Sequence, residues 1–173
     1  MSPRLDCRET DRPRSTSLQV KNGTNPKTDY LQWKWQDDGP TGADDVTKQG
    51  FYPDYEFCVF DETAGSPALV VGVRPPIGLC GTKECWQTKS GGARYNDPSG
   101  TTGGLTRIST RKTVDRLKLE VKMKGVNFAP PPLPFAKDPG VVVQLRRRFG
   151  KCWTSRFESP TTNTAEKFKS KSE

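Results

Sequence analysis

The sequence predicts an all-β fold, an antiparallel β-sandwich of about nine or ten short strands. Three observations predict it. Apolar residues recur with a period of two in several segments, which places them on one face of an extended chain. The chain carries Gly 16 and Pro 15, and these fall in clusters that punctuate the alternating segments. No stretch shows the 3.6-residue periodicity of an amphipathic helix. Hydrophobic residues make up 31% of the 173 residues, enough for one thin core between two sheets.

Taken in order, residues 1–16 are rich in Arg, Asp, Ser and Pro and read as a flexible leader, followed by a single domain over residues 17–173. Leu18 and Val20 begin the first alternation, and Asn22-Gly23 and Asn25-Pro26 signal turns. Leu31, Trp33 and Trp35 alternate with Gln32, Lys34 and Gln36, the pattern of a half-buried strand. The Asp-, Gly- and Pro-rich segment from Asp37 to Gly50 reads as a loop. Strands are expected at Tyr55–Phe60 and Ala68–Val73, ended by Pro75-Pro76. Shorter ones follow at Cys85–Thr88 and Ala93–Asn96, then Leu105–Thr110. In the next, Leu117, Leu119, Val121 and Met123 face opposite Lys118, Glu120 and Lys122. The run Pro130-Pro131-Pro132-Leu133-Pro134 is forced to be extended and suits a crossover between sheets or an edge. Val141–Leu145 is continuously apolar, as a central strand would be. Phe149-Gly150 reads as a hairpin tip with Cys152–Glu158 returning. Phe168, set among Lys167, Lys169 and Lys171, reads as an edge strand whose lysines discourage strand addition.

The composition also bounds the chemistry. There is no histidine, which removes Ser-His-Asp and Cys-His nucleophile schemes and His-ligated zinc. Carboxylate-based catalysis survives that test. The net charge is +8 and the pI about 9.4. Such a balance favours polyanionic partners, although lysines alternating with apolar residues also form an ordinary solvated sheet face. No apolar run is long enough to span a bilayer, and the first residues have no apolar core of a signal peptide.

Three segments in order resemble an uncharacterised bacterial extracellular β domain found in predicted secreted proteins, often of deltaproteobacterial type. They are Trp33-Lys34-Trp35, then Asp54-Tyr55-Glu56-Phe57-Cys58-Val59-Phe60-Asp61, then Cys80-Gly81-Thr82-Lys83-Glu84-Cys85-Trp86. Later parts of the same pattern are Tyr95-Asn96-Asp97, Gly104-Leu105, Lys122-Met123-Lys124-Gly125, Val141-Val142-Val143-Gln144-Leu145, Cys152-Trp153 and Phe168-Lys169-Ser170-Lys171. Together they cover roughly residues 30–172. Glu84 stands where that pattern has proline, and Arg146-Arg147-Arg148 where it has a polar turn. The resemblance implies a β-sandwich of extracellular origin and carries no activity.

Five cysteines offer a disulfide framework. Cys80 and Cys85 are close enough for a short loop, and Cys58 with Cys152 would then join two strands, with Cys7 left over. Four cysteines allow three connectivities, so this pairing is a choice among them. Closing the long loop would contribute about 4–5 kcal/mol. A four-cysteine metal site and free thiols are the rival readings, but neither metal nor cofactor is expected. The tryptophans offer either a stacking platform or core packing beside the disulfides, and the second is favoured. Arg146, Arg147, Arg148 and Lys151 form the densest basic cluster, a candidate for phosphate or sulfate. Asp37, Asp38, Asp44 and Asp45 flank a Gly-Pro loop that hard cations would favour, though a solvated acidic loop is the simpler reading.

The leading expectation is therefore a non-catalytic module, secreted or displayed at the cell surface, that presents binding loops from a rigid scaffold. The second is a module that binds a glycan, a cell-envelope component or another polyanion through the Arg146–Lys151 tip. A carboxylate-dependent hydrolase, with two acidic residues facing each other in a cleft, is the third.

Overall fold

The alternating segments become strands, and the alternation decides which face each strand buries. The computed structural model describes residues 1–38, 54–89, 91–148 and 150–172; Asp44, Asp45 and Phe149, singled out above, lie outside them. Fourteen strands are present among the described residues, in two main antiparallel sheets packed face to face. They exceed the nine or ten expected mainly through two-residue strands that carry no readable period.

The larger sheet holds β1 (Ser17–Lys21), β2 (Tyr30–Asp37), β7 (Trp86–Lys89), β8 (Gly92–Asn96), β9 (Leu105–Lys112), β10 (Leu117–Lys124), β13 (Thr162–Asn163) and β14 (Lys167–Lys171). Its order is β13-β14-β1-β2-β10-β9-β8-β7. The smaller sheet holds β3 (Tyr55–Thr63), β4 (Ser66–Val73), β11 (Val141–Arg147) and β12 (Cys152–Phe157), in the order β12-β11-β3-β4. A two-strand ribbon, β5 (Leu79–Cys80) with β6 (Lys83–Glu84), stands apart.

Between the sheets lies one core. The larger sheet contributes Leu31, Trp33 and Trp35 with Leu117, Leu119, Val121 and Met123, and the smaller contributes Tyr55, Phe57, Val143, Leu145 and Trp153. Two tryptophans fasten the sheets together with polar contacts as well. The Trp33 indole donates to Ser155 Oγ at 3.1 Å, and the Trp35 indole to the Thr154 carbonyl at 3.1 Å. A buried indole N–H without an acceptor would cost about 1–3 kcal/mol, so these contacts fix the relative placement of the layers. The proline-rich segment carries the chain from β10 in one sheet to β11 in the other, as its extended character requires. Within it Phe135 packs edge-on against Phe168 of β14, ring centres 4.9 Å apart.

Two glycines are dictated by close approach. A Cβ on Gly92 would lie 1.8 Å from the Thr110 carbonyl oxygen of the neighbouring strand. Gly104, at φ +78°, would put a Cβ 2.3 Å from that of Phe128. Its turn is held by Asp97, whose carboxylate accepts from the Ser99 and Thr101 amides at 3.1 and 2.8 Å and from the Thr101 hydroxyl at 2.6 Å.

Two expectations need correction. The first concerns the cysteines. Cys80 pairs with Cys85, closing the β5–β6 ribbon, but Cys152 pairs with Cys7 and not with Cys58. Cys58 is a free thiol buried on β3 beside Phe60 and Val142. It is separated from β12 by the whole of β11, since Gln144 stands opposite both Cys58 and Thr154; that geometry prevents the expected bond. The second concerns residues 1–16, which are not a free leader. The Arg8 amide donates to the Cys152 carbonyl at 2.8 Å, and the Thr154 amide to the Arg8 carbonyl at 2.9 Å. Upstream, Gln144 exchanges hydrogen bonds with the Arg4 backbone, and Arg146 donates to the Ser2 carbonyl. The first ten residues thus run along the outside of the smaller sheet, tied down by the Cys7 disulfide.

Candidate functional site

The basic tip expected at residues 146–151 is divided by the fold. Arg146 is only 7% exposed. Its guanidinium lies over the Phe60 ring, 5.1 Å from the centre, and bonds Gln144 Oε1 and the Ser2 carbonyl. It therefore packs the N-terminal segment and does not join Arg148 in a surface cluster. Arg147 is half-buried at the end of β11, while Arg148 and Lys151 are exposed. The four tryptophans are all buried, so they serve the core and offer no open stacking platform. Of the acidic loop, Asp37 is held by Arg8, and Asp38 is held by Arg12 and accepts from Arg116 Nε at 2.7 Å. The Arg116 hydrogen bond is the main force keeping the Asp38 carboxyl below its ordinary pKa.

Other buried carboxylates are also committed to partners. Glu62 receives both ends of the Arg156 guanidinium, at 2.6 and 3.2 Å. Asp29 accepts from the Gly23 amide, and Asp97 holds its own turn. Burial pulls the Asp97 carboxyl upward, but the hydrogen bonds from Thr101 and Ser99 outweigh it and leave its pKa lowered. Burial pushes the Cys58 thiol up to about 11, so it stays protonated at neutral pH and is a poor nucleophile. Asp6 lies close to Cys7 and Cys152, but their sulfurs are spent in the disulfide and Asp6 is paired with Arg4.

A different surface collects the charge. Alternation on the larger sheet turns Lys167, Lys169 and Lys171 of β14, Lys21 of β1 and Lys34 of β2 away from the core. The same face carries Lys118, Lys122 and Lys124 of β10, Arg107 and Arg111 of β9, and Arg94 of β8. Against these eleven cations Glu120 is the one acidic side chain at the outward positions of the described strands, with Asp38 just past the end of β2 and Asp29 at the edge of one cleft. The surplus exceeds the net charge of the whole chain, +8, so the rest of the molecule is close to neutral.

Ion pairing sharpens the contrast. Away from this face, Arg4, Arg8, Arg12, Arg74, Arg116 and Arg156 all have carboxylate partners. On it, Glu120 draws Lys122 to 3.3 Å and Arg107 to 3.9 Å and accepts from Gln32 at 2.7 Å. Among the described residues, Lys34, Arg111, Lys118, Lys124, Lys167, Lys169 and Lys171 pair with no carboxylate.

Two shallow clefts cross the same face. One, of about 540 Å³, is lined by Lys27, Arg107, Lys122 and Lys124 with Asp29, Gln32 and Asn96. The other, of about 440 Å³, is lined by Arg14, Lys34, Arg111, Lys118 and Lys171 with Glu120 and Gln36. Sequence reasoning registered these lysines as a solvated sheet face. The missing signal was strand order: β14, β1, β2, β10 and β9 are neighbours in space but scattered along the chain. Comparison with known proteins returned no matching family model, curated protein or solved structure.

Proposed function

We propose that this chain is a binding module that takes a polyanion on the outer face of its larger sheet. One observation carries the reading: the cations of that face are gathered from six strands and, among the described residues, mostly have no carboxylate partner, while six arginines elsewhere, Arg4, Arg8, Arg12, Arg74, Arg116 and Arg156, each have one. Like charges held together at a surface repel one another, so a cluster of this kind is stabilised when an anionic ligand displaces its counter-ions. The site lies on sheet-borne side chains and not on the loops or on the 146–151 tip.

The module works outside the reducing cytoplasm in this reading, as a secreted or surface component. Two disulfides support it, because such bonds persist in oxidising compartments. No helix is long and apolar enough to cross a membrane among the described residues. A binding role without catalysis accords with buried carboxylates engaged in structural contacts and with a free cysteine whose thiol is buried and protonated.

The test is retention on immobilised sulfated polysaccharide and on immobilised polyphosphate as salt is raised. Lys34→Glu, Lys118→Glu and Lys171→Glu combined should weaken binding about ten- to hundredfold, from about 0.5–1 kcal/mol per exposed contact. Arg148→Glu with Lys151→Glu should leave it unchanged. Retention that ignores salt, or is lost only with the tip variant, contradicts the proposal.

A further inference from the structure

Resting on that proposal, we infer that the polyanion is an acidic polysaccharide, lying across the strands of the larger sheet through both clefts. Three features favour a sugar polymer. The first is the chemistry between the cations. Gln19, Gln32 and Gln36 on β1 and β2, with Asn96 on β8, share the outward face with the lysines and arginines. Amides both donate and accept, which matches hydroxyl-bearing rings on both counts; a bare chain of phosphates can use the amide N–H groups but leaves the amide oxygens without a donor.

The second is spacing. Reading across the strands through one row, Lys171, Ser17, Lys34, Glu120, Ser109 and Arg94 stand side by side. Neighbouring strands are about 4.8 Å apart, so Lys171 and Lys34 are separated by about 10 Å with a neutral residue between them. Charge on a nucleic acid comes every ~3.4 Å along each strand, denser than this row and denser than the single adjacent-strand pairs beside it, Lys167–Lys21, Lys122–Arg107 and Lys118–Arg111, at about 4.8 Å. A polymer with charges separated by neutral rings matches it better.

The third is the lack of an exposed aromatic platform. Single-stranded nucleic acids are held largely by base stacking on aromatic rings. The aromatic side chain on this face is Tyr30, which is half-buried with its hydroxyl directed at Gln19 Oε1, 3.4 Å away. Among the described residues no large apolar side chain stands among the cations to enter a lipid bilayer, since the exposed Met1, Leu5, Leu69, Ile77, Leu79, Val114 and Val126 all lie outside the larger sheet's outward rows.

Affinities of the intact, oxidised protein are to be measured by calorimetry at one ionic strength. The probes are a sulfated glycosaminoglycan oligosaccharide, an oligogalacturonate, inorganic polyphosphate, single-stranded DNA and anionic phospholipid vesicles. Gln32→Ala with Asn96→Ala, and separately Lys34→Glu with Lys118→Glu, are the variants, each checked for an unchanged thermal transition. Either saccharide should bind about tenfold or more tightly than polyphosphate. The amide variant should lose about three- to tenfold toward the saccharide and about twofold or less toward polyphosphate, while the lysine variant loses both. Polyphosphate, DNA or vesicles binding as well as the saccharides, with the amide variant silent, overturns the polysaccharide assignment and leaves the polyanion reading standing. No binding by any probe overturns both.

Discussion

Replacing Cys7 with Ser tests how the N-terminal segment is built into the fold. The disulfide it removes joins positions 145 residues apart. In the chain-entropy relation a loop of that length restricts the unfolded chain by about 5 kcal/mol. The Cys80–Cys85 loop spans 5 residues, and the same relation gives about 2 kcal/mol. Domains of this size have total stabilities of about 5–15 kcal/mol, so the first bond is a large fraction and the second a modest one. At about 2–4 °C per kcal/mol, Cys7→Ser should lower Tm by about 10–20 °C, and Cys80→Ser by about 4–8 °C. Loss of the first bond also loosens the backbone contacts of Arg8 and the covering of Gln144 and Arg146. Thermal unfolding followed by near-ultraviolet circular dichroism, on oxidised protein, reads both shifts. The reasoning is refuted if Cys80→Ser costs as much as Cys7→Ser, or if Cys7→Ser is neutral.

Other perturbations have outcomes set by single contacts. Alkylation of unfolded, unreduced protein should add one adduct, at Cys58, and mass spectrometry after proteolysis should find Cys7 linked to Cys152; an adduct on Cys7 would contradict the pairing. Asp97 has a folded pKa below its ordinary value of 3.8, so its contribution is complete above that value and is lost as pH falls through the lower folded value. Asp97→Asn should therefore flatten the acid side of the stability profile below about pH 4, as read by denaturant titration at several pH values. Gly92→Ala should cost more than about 2 kcal/mol, because the added methyl meets the Thr110 carbonyl, and a neutral effect in urea unfolding would mean that the β8–β9 approach is looser. Trp33→Phe should cost about 1–3 kcal/mol, chiefly from the unpaired Ser155 and lost volume, measured in the same way.

Much of the sandwich was legible because its signal is local. The period of two in β2 and β10 places Leu31, Trp33, Trp35, Leu117, Leu119 and Val121 on one face, and in the structure these residues are buried. Val141–Leu145 read as a central strand, and β11 does lie between β12 and β3. The prolines after Phe128 could not join a ladder, and they cross between the sheets. What escaped depends on contacts between distant parts of the chain. Residues 1–16 are polar enough to look free, yet a disulfide and the β12 backbone hold them. Cys58 and Cys152 both lie on strands of the smaller sheet, but the strand order puts β11 between them. The basic face follows the same rule: Lys171, Lys34 and Arg111 are unremarkable singly, and they gather only when β14, β2 and β9 enter one sheet.

The central claim is the place where a polyanion sits, and amide chemical-shift mapping during titration with a sulfated oligosaccharide reads that place directly. The account predicts perturbed resonances along β14, β1, β2, β10 and β9, centred on Lys171, Lys34, Lys118 and Arg107, and fading as salt is added. Shifts confined to residues 146–151, or to the outer surface of the smaller sheet under the N-terminal segment, would contradict it.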